Sequence, residues 1–364
     1  MKKHYYLGLN ARRRHAWRHL LTIGRKSDYT ALEKALASKY GGKAVLSKNG
    51  RTGLVLALKT YFNMGDKIIV NGFTCYAVIE AIKAAGCVPV YADIDKRTLN
   101  FNMGRVLPDG AAGIIVQNTL GIPVDINAVE KFAKKRGLTI IEDLAHSVGV
   151  KYSDGREAGT VGAATVLSFG KDKAIDTISG GAVVLRNEFA HLCTRQVTAP
   201  SKPPKFADTL RERLYPLLAA MVRGLTHIHM GGVLMRVFLK LRLVERSADN
   251  RLDLVRRMPY FEAKLALRQL DAAHGVDREF YLVRDRNKCL TELKAAGYHL
   301  AGFWYEKPVS PERYYKKVHF PEEECREAVF VAEHIINVPT YYSQKELAPA
   351  LKIIRKYEIG GKND

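Results

Sequence analysis

Two side chains raise the possibility of chemistry: an acid and an amine, thirty residues apart. Asp143 follows the apolar run LTIIE (138–142), and in an open α/β sheet ligands bind beyond such strand ends. Ser168 closes a second apolar run, and Lys173 follows it among small and polar residues. Gly180 and Gly181 then permit close backbone approach. Upstream, Gly50-Arg51-Thr52 stands where a strand hands over to a helix, a place suited to an anion. Pyridoxal phosphate would use these parts together. It needs a lysine amine for its aldehyde, a carboxylate to keep its ring nitrogen protonated, and backbone N–H groups with a hydroxyl for its phosphate. The charged ring is the electron sink, so loss of the carboxylate should cost rate more than binding.

The surrounding pattern can position these groups. Short β-branched runs at 44–47, 67–71, 88–93, 113–117, 138–142, 164–169 and 182–185 alternate with helical stretches at 31–40, 52–62, 76–85 and 126–135. Continuous rather than alternating apolarity predicts strands buried on both faces, hence βαβ units and a largely parallel sheet. The pattern breaks near Asn187. Residues 195–206 are loop-like, 210–244 read as helical and amphipathic, and 258–273 read as a further helix. Leu234, Val237, Phe238 and Leu241 fall at i, i+3, i+4 and i+7, the spacing of a core-facing stripe. The expected organisation is a basic arm over 1–30, a large domain over 31–186, a basic helical insertion over 187–255, and a smaller α/β domain over 256–364. A lysine such as Lys171, with nothing else to mark it, is expected to be a solvated surface charge.

With 364 residues, 47% of them hydrophobic, the chain is long and apolar enough to bury a large core without metal or disulfide staples. Fifty-eight Lys and Arg against thirty-seven Asp and Glu leave a net charge of +21, which bears on partners and not on fold. Residues 1–30 and 189–246 each carry an excess of seven cations, together two thirds of the total. Five scattered cysteines with no CxxC suggest reduced thiols and a cytoplasmic setting. No apolar run reaches membrane-spanning length; the longest, 214–222, ends at Arg223. The basic insertion has three readings: a solvated face with a subunit interface, an amphipathic surface for an anionic membrane through 206–246, or a nucleic-acid surface. The last is disfavoured because no recognised DNA- or RNA-binding motif accompanies the charge.

The residues also carry a family resemblance. GDKIIVNGFTCYAVIEAIKAAGCVPVYADID (65–95), IEDLAHSVGVKY (141–152), LSFGKDK (167–173), RRMPYFEAKLALRQLDA (256–272) and HFPEEECREAVFVAEHIINVPTYYSQKEL (319–347) resemble, in order and spacing, blocks of the DegT/StrS-type sugar aminotransferases. These are pyridoxal-phosphate enzymes of the aspartate-aminotransferase fold. The resemblance covers roughly 30–185 and 256–355. It implies a three-layer α/β/α large domain with a mostly parallel sheet, plus a smaller C-terminal α/β domain. It makes Lys173 the Schiff-base lysine and proton shuttle, and Asp143 the partner of the ring nitrogen. It places His146 at the cofactor ring and puts Ser168 with the Gly50 and Arg51 amides at the phosphate. The ring-stacking position falls on Cys75, with Tyr76 its aromatic neighbour, and the sequence does not choose between them. It further implies an amino-acid donor such as glutamate, a keto sugar acceptor carried on a nucleotide, a homodimer, and a role in surface polysaccharide or glycolipid synthesis.

Four departures accompany the resemblance. Ser179 stands where the family has Glu, and Val255 stands where it has an Asn that reaches the partner subunit's phosphate, with Arg256 an electrostatic substitute. The family's His-rich substrate segment is not recognisable around residues 305–315, and 187–255 match no family block. Lys173 itself argues against the family's dehydrating members, which carry His there. Two other readings compete: a membrane-surface scaffold that kept the fold but lost transamination, and a nucleic-acid-binding regulator.

Overall fold

The computed structural model describes residues 5–7, 13–104, 108–196, 198–225, 230–245, 252–276, 278–300, 304–340 and 342–360. Its centre is a seven-stranded sheet of β1 (Gly42–Ser47), β2 (Lys67–Asn71), β3 (Val88–Ala92), β4 (Gly113–Gln117), β5 (Thr139–Asp143), β6 (Ala164–Ser168) and β7 (Gly181–Arg186). Their spatial order is β1-β7-β6-β5-β4-β2-β3. Neighbouring strands from β6 through β3 pair in parallel, and β7 runs antiparallel to both β6 and β1. Ile68, Ile69, Val70, Ile114, Ile115 and Val116 are all fully buried, which explains why these strands read as unbroken apolar runs.

Helices cover both faces. Nearly every residue of α3 (Gly50–Tyr61) is buried, and α4 (Tyr76–Ala84) packs beside it. On the other face α2 (Lys26–Tyr40) contributes Leu32, Leu36 and Tyr40 to a second core cluster, with α5 (Ile126–Arg136). Local capping fixes these ends. Asn49 accepts from the Thr52 N–H at 2.9 Å, Asp125 accepts from the Ala128 N–H at 3.1 Å, and Gly41 and Gly137 close helices at positive φ.

Helix α2 starts at Lys26, five residues before the expected helix and inside the expected basic arm. The Asp28 carboxylate, the one anion in residues 1–30, accepts the Arg25 N–H at 2.7 Å and caps this start. The arm is structured further: α1 (Arg13–Leu21) lies on α6 (Phe206–Gly224), and Tyr5–Leu7 forms a parallel strand. The helical stretch expected over 210–244 is two helices, α6 and α7 (Gly231–Lys240), with a small core of Ile178, Tyr215, Ala219, Val222, Phe238 and Val244. The expected stripe divides: Phe238 is buried, whereas Val237 and Leu241 face outward. Residues 226–229 of this stretch lie outside the described residues.

Helix α8 (Tyr260–Leu267) packs on α2, and Met258, Ala263, Ala266 and Leu270 join the large-domain core. The smaller unit has its own core of Val283, Leu293, Ile336, Val338 and Ile354. It is built from β8 (Arg278–Leu282) antiparallel to β10 (Ile335–Pro339), β9 (Tyr298–Leu300) paired with Tyr5–Leu7, and helices α9 (Arg286–Ala295) and α10 (Gln344–Tyr357).

Candidate active site

The carboxyl ends of β4, β5 and β6 and the N-terminus of α3 open on one cavity, as the strand-end rule for α/β sheets anticipates. Gly50, Arg51, Cys75, Asp143, His146, Ser168 and Lys173 all line it. Tyr76 is not among the lining residues: its ring stacks on Tyr314 at 4.3 Å between centroids, with planes 10° apart. Of the two neighbours, it is therefore Cys75 that faces the cavity.

Asp143 is held on both oxygens. Gln117 Nε2 donates to Oδ2 at 3.1 Å, and the Ala145 N–H donates to Oδ1 at 3.0 Å. Gln117 is in turn fixed by the Thr74 hydroxyl, which donates to Oε1 at 2.8 Å. Burial pushes the Asp143 carboxyl above its ordinary range, opposed by the Ala145 N–H, the Lys173 charge and the Gln117 amide. Burial likewise pulls the Lys173 ammonium below its ordinary value, against the Cys75 and Asp143 charges. The Lys173 Nζ sits 4.8 Å from the Trp304 ring centroid.

His146 Nδ1 accepts from the Leu120 N–H at 3.1 Å, which assigns the proton of the neutral ring to Nε2, 3.4 Å from the Tyr305 hydroxyl. Burial drives its pKa well down, and the Lys173 and Arg278 charges add to that. His146 is thus neutral at physiological pH. Its ring stacks on Trp304 at 4.6 Å and 5°.

The α3 end forms a tight cradle. A Cβ added at Gly50 would lie 2.7 Å from the Ser168 Cβ, so glycine brings the first turn of the helix against the serine. The Arg51 guanidinium pairs with Glu80.

These residues fit pyridoxal phosphate. A buried carboxylate whose proton affinity is raised lacks a full cationic partner, and a ring N–H carrying positive charge would supply one. The glycine–serine cradle at a helix N-terminus suits the phosphate.

Gln117, Thr74, Trp304 and Tyr305 were not singled out from the sequence. Gln117 had one signal, a polar residue ending an apolar strand. Trp304 and Tyr305 belong to the stretch where the family's substrate segment could not be recognised. Lys171 is corrected: it lines this cavity, its Nζ sits 3.9 Å from the Tyr215 ring centroid, and burial lowers its pKa to about 8.

Lys171, Asn49 and Ser179 also line a second, adjoining cavity beneath α6, with Lys48, Asp208 and Glu212. There Lys48 Nζ is 3.0 Å from Asp208 and 3.5 Å from Glu212. Ser179 donates to the fully buried Glu262 at 3.2 Å. An acid thus remains beside position 179, supplied from α8. Arg256 pairs with Asp253 at 3.2 Å within its own chain.

The architecture is a three-layer α/β scaffold whose strand-end cavity holds Asp143 and Lys173 together. Spr1654 of Streptococcus pneumoniae, solved in its PLP form, superposes with a TM-score of 0.66 at 18% identity over 97% of this chain and 98% of that one. Residues 14–214 match the DegT/DnrJ/EryC1/StrS aminotransferase family, and the chain belongs to it. Among curated relatives, the pleiotropic regulatory protein of Geobacillus stearothermophilus is 31% identical over 182 residues, covering 48% of this chain and 49% of that protein. GDP-perosamine synthase of Escherichia coli O157:H7 is 33% identical over 149 residues, covering 40% and 41%. The chain thus spans about half the length, or less, of the curated relatives it matches.

Proposed function

We propose that the protein is a pyridoxal-phosphate-dependent aminotransferase, acting as a cytosolic homodimer. It moves an amino group from an amino acid such as glutamate to a keto sugar carried on a nucleotide, for surface polysaccharide or glycolipid synthesis. The single observation that carries this reading is the buried Asp143, clamped on both oxygens and sharing a cavity with Lys173. Family membership and the resemblance to GDP-perosamine synthase support the sugar acceptor.

When bound, the cofactor supplies an electron sink that stabilises negative charge at the amino-bearing carbon. Asp143, clamped in the cavity, would hold the cofactor's ring nitrogen cationic. Gln117 and Ala145 fix the direction of that carboxylate, and Thr74 fixes Gln117. Lys173 Nζ, with its proton affinity lowered by burial, takes and returns the proton at the reacting carbon. Neutral His146 presents an N–H without adding a competing cation. Ser168 and the α3 N-terminus would hold the phosphate, Tyr305 lines the same cavity, and the Trp304 ring packs on Lys173 and His146.

The test is spectroscopic. Purified protein loaded with pyridoxal phosphate should show a visible band that borohydride bleaches, leaving the modification on Lys173. A bleached protein labelled elsewhere, or no band at saturating cofactor, defeats the reading and favours a scaffold.

A further inference from the structure

The three-helix unit of α1, α6 and α7 lies outside everything assigned above. Twelve of the sixteen large hydrophobic side chains exposed on the described surface lie on these helices or within three residues of them. Helix α6 is two-sided. Its inner face carries Asp208, Glu212 and Tyr215 toward the second cavity. Its outer face carries Phe206 (81% exposed), Leu210, Leu217 and Met221 at i, i+4, i+11 and i+15. Helix α7 packs on the inner side of α6 through Phe238 and exposes its own face of Val233, Val237 and Leu241, four residues apart, beside exposed Arg236 and Lys240. Helix α1 adds Trp17 and Leu21. The Arg213 guanidinium pins α1 to α6 by donating to the carbonyls of His19, Leu20 and Thr22 at 2.9–3.3 Å.

The charges are sorted as well. Residues 189–246 hold ten cations and three carboxylates. All three carboxylates are ion-paired: Asp208 and Glu212 with Lys48, and Glu245 with Arg211. The exposed face of α7 therefore presents Val233, Val237 and Leu241 beside Arg236 and Lys240, and among the described residues of 189–246 no carboxylate is left unpaired. We propose that this face docks on an anionic lipid surface. Its apolar stripe would enter the headgroup boundary, with Arg236 and Lys240 at the lipid phosphates.

A second copy of the chain fits less well. In a two-fold interface the same patch meets itself, so these cations would face one another. No helix among the described residues is long and apolar enough to cross a membrane, which leaves docking on the surface.

The test uses the full-length holoprotein and vesicles of phosphatidylcholine with or without phosphatidylglycerol. Co-sedimentation should require phosphatidylglycerol and weaken with added salt. R236E/K240E should weaken it by at least about tenfold. V237S/L241S should weaken it by a similar factor, with circular dichroism and light-scattering mass unchanged. Both variants alter exposed positions, and charge reversal leaves the apolar stripe intact, so the pair remains informative if either one misfolds. Equal binding to both vesicle types, or no binding to either, overturns the proposal. So does a drop in mass in V237S/L241S with vesicle binding retained, which makes the face a subunit interface.

Discussion

At the scale of single residues, the site is a chain of restraint that ends on Asp143. Replacing Asp143 by Asn keeps the shape and removes the charge. Cofactor should still bind, while transamination falls by about a hundredfold or more, read as kcat with cofactor absorbance as the binding control. Gln117→Leu tests the next link. Asp143 would lose one of its two donors, and a hydrogen bond to a charged group is worth about 1.5–3 kcal/mol, so kcat should fall roughly tenfold or more. An unchanged kcat in Q117L would remove Gln117 from the machinery. Asp143, Lys173 and Ser168 could be singled out because they sit in sequence blocks whose order and spacing are specific, and Gly50 because it stands where a strand hands over to a helix. Gln117 was not, because its role comes from pairing β4 with β5, which puts its amide beside a carboxylate twenty-six residues away. Trp304 and Tyr305 were illegible for the same reason on a larger scale. They meet His146 only after the smaller unit has folded back on the large one.

At the scale of elements, the strands were readable and the ends of some helices were not. Burial on both faces writes itself into Ile-Ile-Val runs, and no other local arrangement competes. The start of α2 was hidden because a run of cations masks it and its cap depends on the single carboxylate of Asp28. The outward turn of Val237 and Leu241 was hidden because periodicity reports an apolar stripe without saying what covers it. Two helix termini give predictions. At α3, Gly50→Ala would drive a methyl group against Ser168, so the protein should fold yet bind pyridoxal phosphate more weakly in a titration of the apoprotein. Wild-type affinity there would displace the phosphate from this cradle. At α10, Ser343 and Glu346 form a reciprocal capping box far from the cavity. Ser343→Ala should lower stability in urea by about 1 kcal/mol and leave turnover unchanged.

At the scale of the whole molecule, the buried charges beside the site make stability depend on pH. Asp176 accepts N–H bonds from Asp172 and Ile178, but burial, reinforced by the Asp172 charge, raises its pKa from 3.8 to about 7. The folded state therefore holds a proton on Asp176 that the unfolded chain has already released. Stability from this group is fully present below about pH 4 and is lost as pH rises through about 7, by up to about 4 kcal/mol. Lys171 acts with the opposite slope and in a different window. Burial lowers its pKa from 10.5 to about 8, so the folded state gives up that proton first and stability recovers between about pH 8 and 10.5. The two contributions together predict a minimum near pH 7–8, superimposed on the background of the other titrating groups. Asp176→Asn should remove the falling limb between pH 4 and 7 and leave the rising limb in place, measured by urea unfolding across that range. If D176N and the parent protein lose stability in parallel from pH 4 to 7, Asp176 titrates normally in the folded chain, and the buried acid beneath Lys171 is not the source of the slope.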